Sequence, residues 1–241
     1  MRSDAALWHE VECGGYEADL HLWRDLALRH EGPVLDVGAG SGRVARALVA
    51  EGHEVVALDN DAELLDELSL RAGDAGLPTI ETVRADAREY VDAARFGLVI
   101  VPMQTVQLLG GPAGRARFLA CAHSSLRPGG GLAVAVADLS AGSGTLPAAY
   151  TPDRLQLGES TYESRPTCVR QTAEGLVIER ARSRTDGVER QSLGTWSQEI
   201  DRVDPSALEG EARQAGFSLQ GRLAVPPSGA YAGSEVVLLG R

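Results

Sequence analysis

The sequence predicts an α/β fold built on a mostly parallel sheet, and three observations predict it. The run Val34–Val37 has buried-strand character and passes straight into Gly38, Gly40 and Gly42, with a helix pattern following at once in Val44, Ala45, Ala47, Leu48 and Val49. Glu54–Asp59 and Thr79–Arg84 read as further strands, with a helix pattern starting at Asp61, Glu63 and Leu64 between them. Gly97–Val101 and Leu132–Ala137 continue the alternation, with a helix expected over Arg115–Leu126. Strands alternating with helices give a parallel sheet covered by helices.

The first strand and its loop carry the most chemistry. Glycines let the backbone turn sharply and let a ligand approach it without meeting a side chain. The helix start then offers free N–H groups, so the segment is a nucleotide-cofactor site. The dinucleotide fingerprint wants its third glycine three residues after the second. That position is Arg43, and the third glycine comes early, at Gly42. An acidic residue two before the first glycine, Asp36, also lies outside the dinucleotide pattern.

The run Asp36-x-Gly38-x-Gly40-x-Gly42, with Ala39 inside it, resembles motif I of the class I S-adenosylmethionine (SAM) methyltransferases. Asp59 closes the second strand about twenty residues past the glycines, where a carboxylate accepts two hydrogen bonds from a ribose diol. Its other role would be a helix N-cap, which Asp61 fills equally well. By resemblance Asn60 contacts the adenine, and Asp86, followed by Ala87, takes the adenine amino group. Asp86 with Glu89 also has capping-box spacing. Pro102 and Met103, after the fourth strand, are expected near the cofactor, with Gln104 or Gln107 facing the acceptor.

The later elements keep the family order. Leu126–Gly130 spells a Leu-Arg-Pro-Gly-Gly turn into the fifth strand, and Pro205–Ala215 reads as a helix closed by Gly216. Phe217–Val225 and Ser234–Leu239 suit the reversed terminal hairpin of that fold. The resemblance covers nearly all the chain except about 140–200 and the first fifteen residues. It implies a Rossmann-like, seven-stranded, mostly parallel sheet with one reversed strand, helices on both faces and a small antiparallel β insertion. The expected division is a SAM-binding core with an N-terminal helical lid over 1–139, the insertion over 140–202, and completion of the core over 203–241.

At 241 residues, 44% of them hydrophobic, the chain holds one domain with a modest insertion. No apolar run approaches the ~18 residues of a membrane span. Asp4, His9, Glu10 and Glu12 leave no visible signal peptide, so a cytoplasmic protein away from membranes is expected. Cys13, Cys121 and Cys168 are far apart without zinc spacing, and no metal site is expected. A net charge of −11 disfavours nucleic acid as a partner and favours a small molecule. All 23 basic residues are arginine, which removes any lysine Schiff base or lysine general base. Heavy use of Ala, Gly and Arg without Lys points to a GC-rich bacterial genome.

Asp138–Pro152 reads as a loop. Glu163–Thr172, Leu176–Arg184 and Val188–Glu199 read as a three-stranded meander joined at Glu174–Gly175 and Asp186–Gly187. By resemblance to glycine and sugar-amine N-methyltransferases, such an insertion covers the mouth of the site or forms a homodimer interface. Arg180, Arg182 and Arg184 share a strand face, either for an anionic substrate or as a solvated face paired with residues such as Glu189. Tyr162 and Trp196 are candidates for an acceptor pocket or for meander core. Before motif I, Leu20, Trp23, Leu26 and Ala27 have helical spacing, with Trp23 assigned to core packing. Related enzymes use this segment as a lid over the methionine end of SAM, and Tyr16 is the candidate there. His21 is the one histidine singled out as a base; His53 lies in a turn and His123 in a helix.

Methyl transfer from a sulfonium is an in-line displacement that needs alignment and exclusion of water. The end of the fourth strand, Val101–Gln104, lacks the Asn/Asp-Pro-Pro-aromatic run of nucleobase amino methylation, and Met103 stands where cytosine C5 chemistry needs Cys. The resemblance implies a SAM-dependent methyltransferase, with S-adenosylhomocysteine (SAH) as product. Its acceptor would be a small organic molecule, nitrogen slightly ahead of oxygen. The alternatives are a non-catalytic SAM-binding scaffold and an NAD(P)-dependent reductase, whose short-chain Tyr–Lys pair this lysine-free chain cannot supply.

Overall fold

The structure, a computed structural model, describes residues 3–137, 144–145, 151–228 and 231–241. Two helices come first, α1 (Asp4–Cys13) and α2 (Leu20–Arg29), followed by β1 (Val34–Val37), α3 (Arg43–Ala50), β2 (Val55–Asp59), α4 (Ala62–Asp74), β3 (Glu81–Arg84) and β4 (Phe96–Val101). Next come α5 (Gly111–Ser125) and β5 (Leu126–Ala137). The insertion holds β6 (Gly144–Thr145), β7 (Asp153–Leu157), β8 (Ser160–Gln171), β9 (Gly175–Asp186) and β10 (Glu189–Asp201). The chain closes with α6 (Pro205–Gln214), β11 (Ser218–Val225) and β12 (Ser234–Gly240).

The main sheet has seven strands in the order β11-β12-β5-β4-β1-β2-β3. β1, β2, β3, β4 and β5 pair in parallel, while β12 runs antiparallel to both β5 and β11. β12 is therefore the single reversed strand. Every residue of β1 and β4 is buried, as expected of central parallel strands covered on both faces. One core cluster joins the sheet to α2, α3 and α4 through residues such as Trp23, Leu48 and Leu68. The other joins it to α5 and α6 through Phe118, Leu119 and Leu208.

Local chemistry sets the helix ends. Ser3 caps α1, Asp61 caps α4 through the amides of Glu63 and Leu64, and Asp204 caps α6 ahead of Pro205. Three expectations are corrected. The capping-box spacing at Asp86–Glu89 starts no helix: Asp86 accepts from the Arg88 amide in a turn. α5 starts at Gly111 rather than Arg115, since Pro112 in the first turn has no N–H to lose. β5 starts at Leu126 rather than Leu132, because Leu126 pairs with Phe96 and Gly131 with Gly240 on its two sides.

The insertion is a second, antiparallel sheet. β8, β9 and β10 form the meander, and β6 and β7 pair with the free side of β8. Most of the loop expected over Asp138–Pro152, and the boundary at 139/140, lie outside the described residues. Among the described residues no helix is long and apolar enough to cross a membrane.

Candidate active site

A cleft of about 550 Å³ opens beyond the carboxyl ends of β1, β2 and β4. Open α/β sheets bind ligands at this edge. Gly38 and Gly40 hold φ of +70° and +55°, a region that favours glycine. A Cβ on Gly38 would stand 2.5 Å from Thr105, and one on Gly40 would stand 2.3 Å from Nε2 of His9. The loop is pinned to β2: the amides of Gly38 and Ala39 donate to the Leu58 carbonyl at 2.8 and 3.1 Å. The Gly40 amide donates to Asp59 Oδ2 at 2.8 Å, and the Asp61 amide to Asp59 Oδ1 at 3.0 Å. Asp61 is thus the cap of α4, and Asp59 braces the loop. Each Asp59 oxygen keeps acceptor capacity toward the cleft.

Asp36 lies at the cleft floor, 1% exposed, and among the described residues neither carboxylate oxygen has a hydrogen-bond partner. Burial pushes its carboxyl up to about 7, against the pull of the Arg43 guanidinium and the approaching Ala45 amide. An unpartnered buried carboxylate is costly and calls for a cationic or donor ligand. Arg43 itself is taken: it donates to both oxygens of buried Asp19 at 2.5 and 2.9 Å and to the Tyr16 carbonyl at 2.9 Å.

Asn60, Asp86, Ala87 and Arg88 form another wall. Arg88 grips Asp86, with Nε 2.9 Å from Oδ1 and Nη2 2.6 Å from Oδ2. That guanidinium holds the Asp86 carboxyl down to about 2. An adenine amino group at Asp86 would share it with Arg88. Pro102, Met103 and Gln104 line the wall after β4. Met103 has a φ of 55°, a strained value for a side chain of this size, and strain of this kind gathers at functional sites. Gln107 is turned away: it bonds the Ala137 amide and the Asp201 carbonyl, tying the core to the insertion.

The far end is built by α1 and the insertion. Ala5, Trp8, His9, Glu12 and Cys13 line it from α1, and Arg182, Trp196 and Gln198 from β9 and β10. The Arg182 guanidinium lies 4.8 Å from the Trp8 ring and 4.7 Å from the Trp196 ring, a cation–π sandwich. Glu12 Oε1 receives Arg182 Nε at 2.9 Å and Ser164 Oγ at 2.7 Å. Arg180 pairs with Asp153, and Arg184 with Asp186. The arginine face is therefore partly spent on α1 and not on Glu189. Burial pushes the Cys13 thiol up to about 12, so it stays a thiol.

Tyr16 and His21 are missing from the described residues that line this cleft. Tyr16 is buried against Tyr231, ring centroids 4.7 Å apart, and His21 is exposed on α2. Sequence reasoning placed the lid in this second segment and missed α1. The signal was present: a Ser3 cap, then Ala5, Trp8, His9, Glu12 and Cys13 on one helical stripe.

Residues 34–130 match the family described as "Methyltransferase domain". A ubiquinone biosynthesis O-methyltransferase from Serratia proteamaculans (strain 568) is 36% identical over 138 residues, 52% of this chain and 54% of that protein. The match thus spans about half the length of that curated relative. Residues 34–130 are thus similar to a methyltransferase domain.

Solved structures agree on the methyltransferase fold. A sugar N-methyltransferase from Streptoalloteichus sp. ATCC 53650 superposes with a TM-score of 0.76 at 14% identity, covering 100% of this chain and 94% of that one. A SAM-bound amino pentose methyltransferase from Micromonospora echinaspora gives 0.73 at 16%, covering 95% and 93%. A SAM-dependent methyltransferase from Clostridium acetobutylicum ATCC 824 gives 0.75 at 12%, covering 98% and 96%.

The lining of the cleft fits SAM. The orphaned oxygens of Asp36 match a cationic amine, Asp59 retains lone pairs for a diol, and the cleft has the size of small-ligand sites. When bound, SAM supplies a methyl carbon on a good leaving group. Methyl transfer would require the chain to hold both reactants in line and keep water out.

Proposed function

We propose that this protein transfers a methyl group from SAM to a small organic acceptor, with an amine as the favoured nucleophile. The observation that carries this reading is the far end of the cleft. It carries two indoles, and the cations of the whole cleft are already matched. Arg43 is held by Asp19, Arg88 by Asp86 and Arg182 by Glu12. Such a lining suits a neutral or cationic acceptor better than a phosphate or carboxylate.

Two structural neighbours support nitrogen: the sugar N-methyltransferase above, and a glycopeptide N-methyltransferase with TM-score 0.63 at 22% identity. Oxygen is the second reading, supported by the O-methyltransferase relative. The insertion acts as the acceptor cap, a role supported by Trp196 and Gln198 of β10 in the cleft wall. The outer edge of β10 pairs with no strand among the described residues and is the place for a homodimer contact.

The test is SAH formation, followed by mass spectrometry, with SAM and parallel panels of amino sugars, aliphatic amines and phenols. Methylated amines are the expected products. Turnover confined to phenols would replace nitrogen by oxygen, and no turnover on any panel member with SAM bound would favour a binding scaffold.

A further inference from the structure

We propose that His9 is the proton acceptor for the methyl-accepting amine, set as a base by a Glu10–Ser41–His9 hydrogen-bond relay; this rests on the amine reading above. His9 sits on α1 and lines the cleft beside the glycine loop. Its Nδ1 is 3.1 Å from Oγ of Ser41, and that hydroxyl donates to Glu10 Oε2 at 3.4 Å. A hydroxyl has a single proton to give. With that proton on the carboxylate, Ser41 presents a lone pair to Nδ1, so the imidazole proton resides on Nδ1. The free lone pair is then on Nε2. This nitrogen lies against Gly40, where a Cβ would be only 2.3 Å away. Glu10 is fixed in turn by Arg71 of α4 at 2.7 Å, so the relay is anchored at its far end.

The surroundings favour the neutral ring. Burial lowers the pKa of His9 and outweighs Asp59, Glu10 and Glu12, which favour imidazolium; Arg43 adds to the lowering. Other charges on the packed elements are Arg71 paired with Glu10, Arg182 with Glu12, Arg180 with Asp153, Asp36 on the cleft floor, and Arg46 of α3, which interacts with Glu10 and whose Nε has no hydrogen-bond partner among the described residues. The ring is thus ready to take a proton, and Asp59 and Glu12 stabilise the cation that forms.

An alkyl ammonium has no lone pair for attack. Its N–H proton passes to His9 Nε2, which frees the pair. The N–C bond to the methyl carbon forms as the C–S bond breaks, with that electron pair staying on sulfur. The imidazolium afterwards returns its proton to water. A general base of this kind is worth roughly a hundredfold or more in rate.

Ring-nitrogen NMR tests the relay directly. At pH 7.5 in wild type, long-range 1H–15N spectra should show a protonated Nδ1 and a pyridine-like Nε2, with His9 assigned by its loss in His9→Gln. Ser41→Ala should mix the two tautomers. A protonated Nε2, or an imidazolium at that pH, would overturn the proposal. Calorimetry with sinefungin gives a second reading, since it carries an amine in place of the methyl group of SAM. Its preference over SAH should fall about tenfold or more in His9→Phe. In wild type that preference should fall about tenfold per pH unit below the pKa of His9. Unchanged SAH binding with an unmoved sinefungin preference would remove His9 from the reaction. Acceptor chemistry is read by the separate methylation screen, so failure of the amine reading and failure of the relay give different results.

Discussion

Asp36 shows how a single buried residue ties stability to pH. Its carboxyl is raised from 3.8 to about 7 by burial, with no hydrogen-bond partner among the described residues. Between those values the folded chain holds a proton that the unfolded chain has released. Stability from this residue is therefore present at low pH and lost as pH rises toward 7. Ligand-free wild type should lose about 1–4 kcal/mol relative to Asp36→Asn between pH 4 and 8 in urea denaturation. A constant difference between the two proteins would show that Asp36 is not a strained carboxylate. At this scale the backbone of the glycine loop was legible in the sequence. Asp36, Gly38, Gly40 and Asp59 are fixed by a strand, a turn and a helix start that are local in the chain. The clasp of Arg88 on Asp86 was not legible, because side-chain direction in a turn leaves no periodic trace.

Among the elements, α3 and the segment before α2 are joined by the Arg43–Asp19 pair. Asp19 is buried and Arg43 half-buried, with its side chain 9% exposed; Trp23 Nε1 donates to Asp19 at 2.8 Å, and the Arg43 guanidinium lies 5.0 Å from the Tyr16 ring. The residue that breaks the dinucleotide spacing is thus the clamp that holds the N-terminal segment to the glycine loop. Asp19→Asn or Arg43→Met leaves one buried charge unmatched and should cost about 3–5 kcal/mol. Thermal unfolding of the two single variants and the double variant checks this. Additive losses would mean the groups do not act as a pair. Trp23 was legible as core from its spacing with Leu26 and Ala27. Tyr16 was misplaced because its neighbour Tyr231 is distant in sequence and no local pattern announces the contact.

Across the whole molecule, α1 stitches the two sheets around the cleft. Glu10 ties it to α4 through Arg71, while Glu12 ties it to β8 and β9 through Ser164 and Arg182. The parallel pairing of the main sheet followed from alternating strands and helices, its reversed strand from the family resemblance, and the insertion from its turn signals. Their meeting surface did not, since Glu12 and Arg182 lie 170 residues apart. The glycine loop is thus written in one contiguous motif, while the far end of the cleft is assembled from α1 and the insertion.

The central claim is that the cleft beyond β1, β2 and β4 holds SAM through Asp36, the glycine loop and Asp59. Isothermal titration of wild type and Asp59→Ala with SAH and with NADH tests it most directly. Wild type should bind SAH and leave NADH unbound, and Asp59→Ala should weaken SAH about a hundredfold. Binding of NADH without SAH, or SAH affinity untouched by Asp59→Ala, would contradict it.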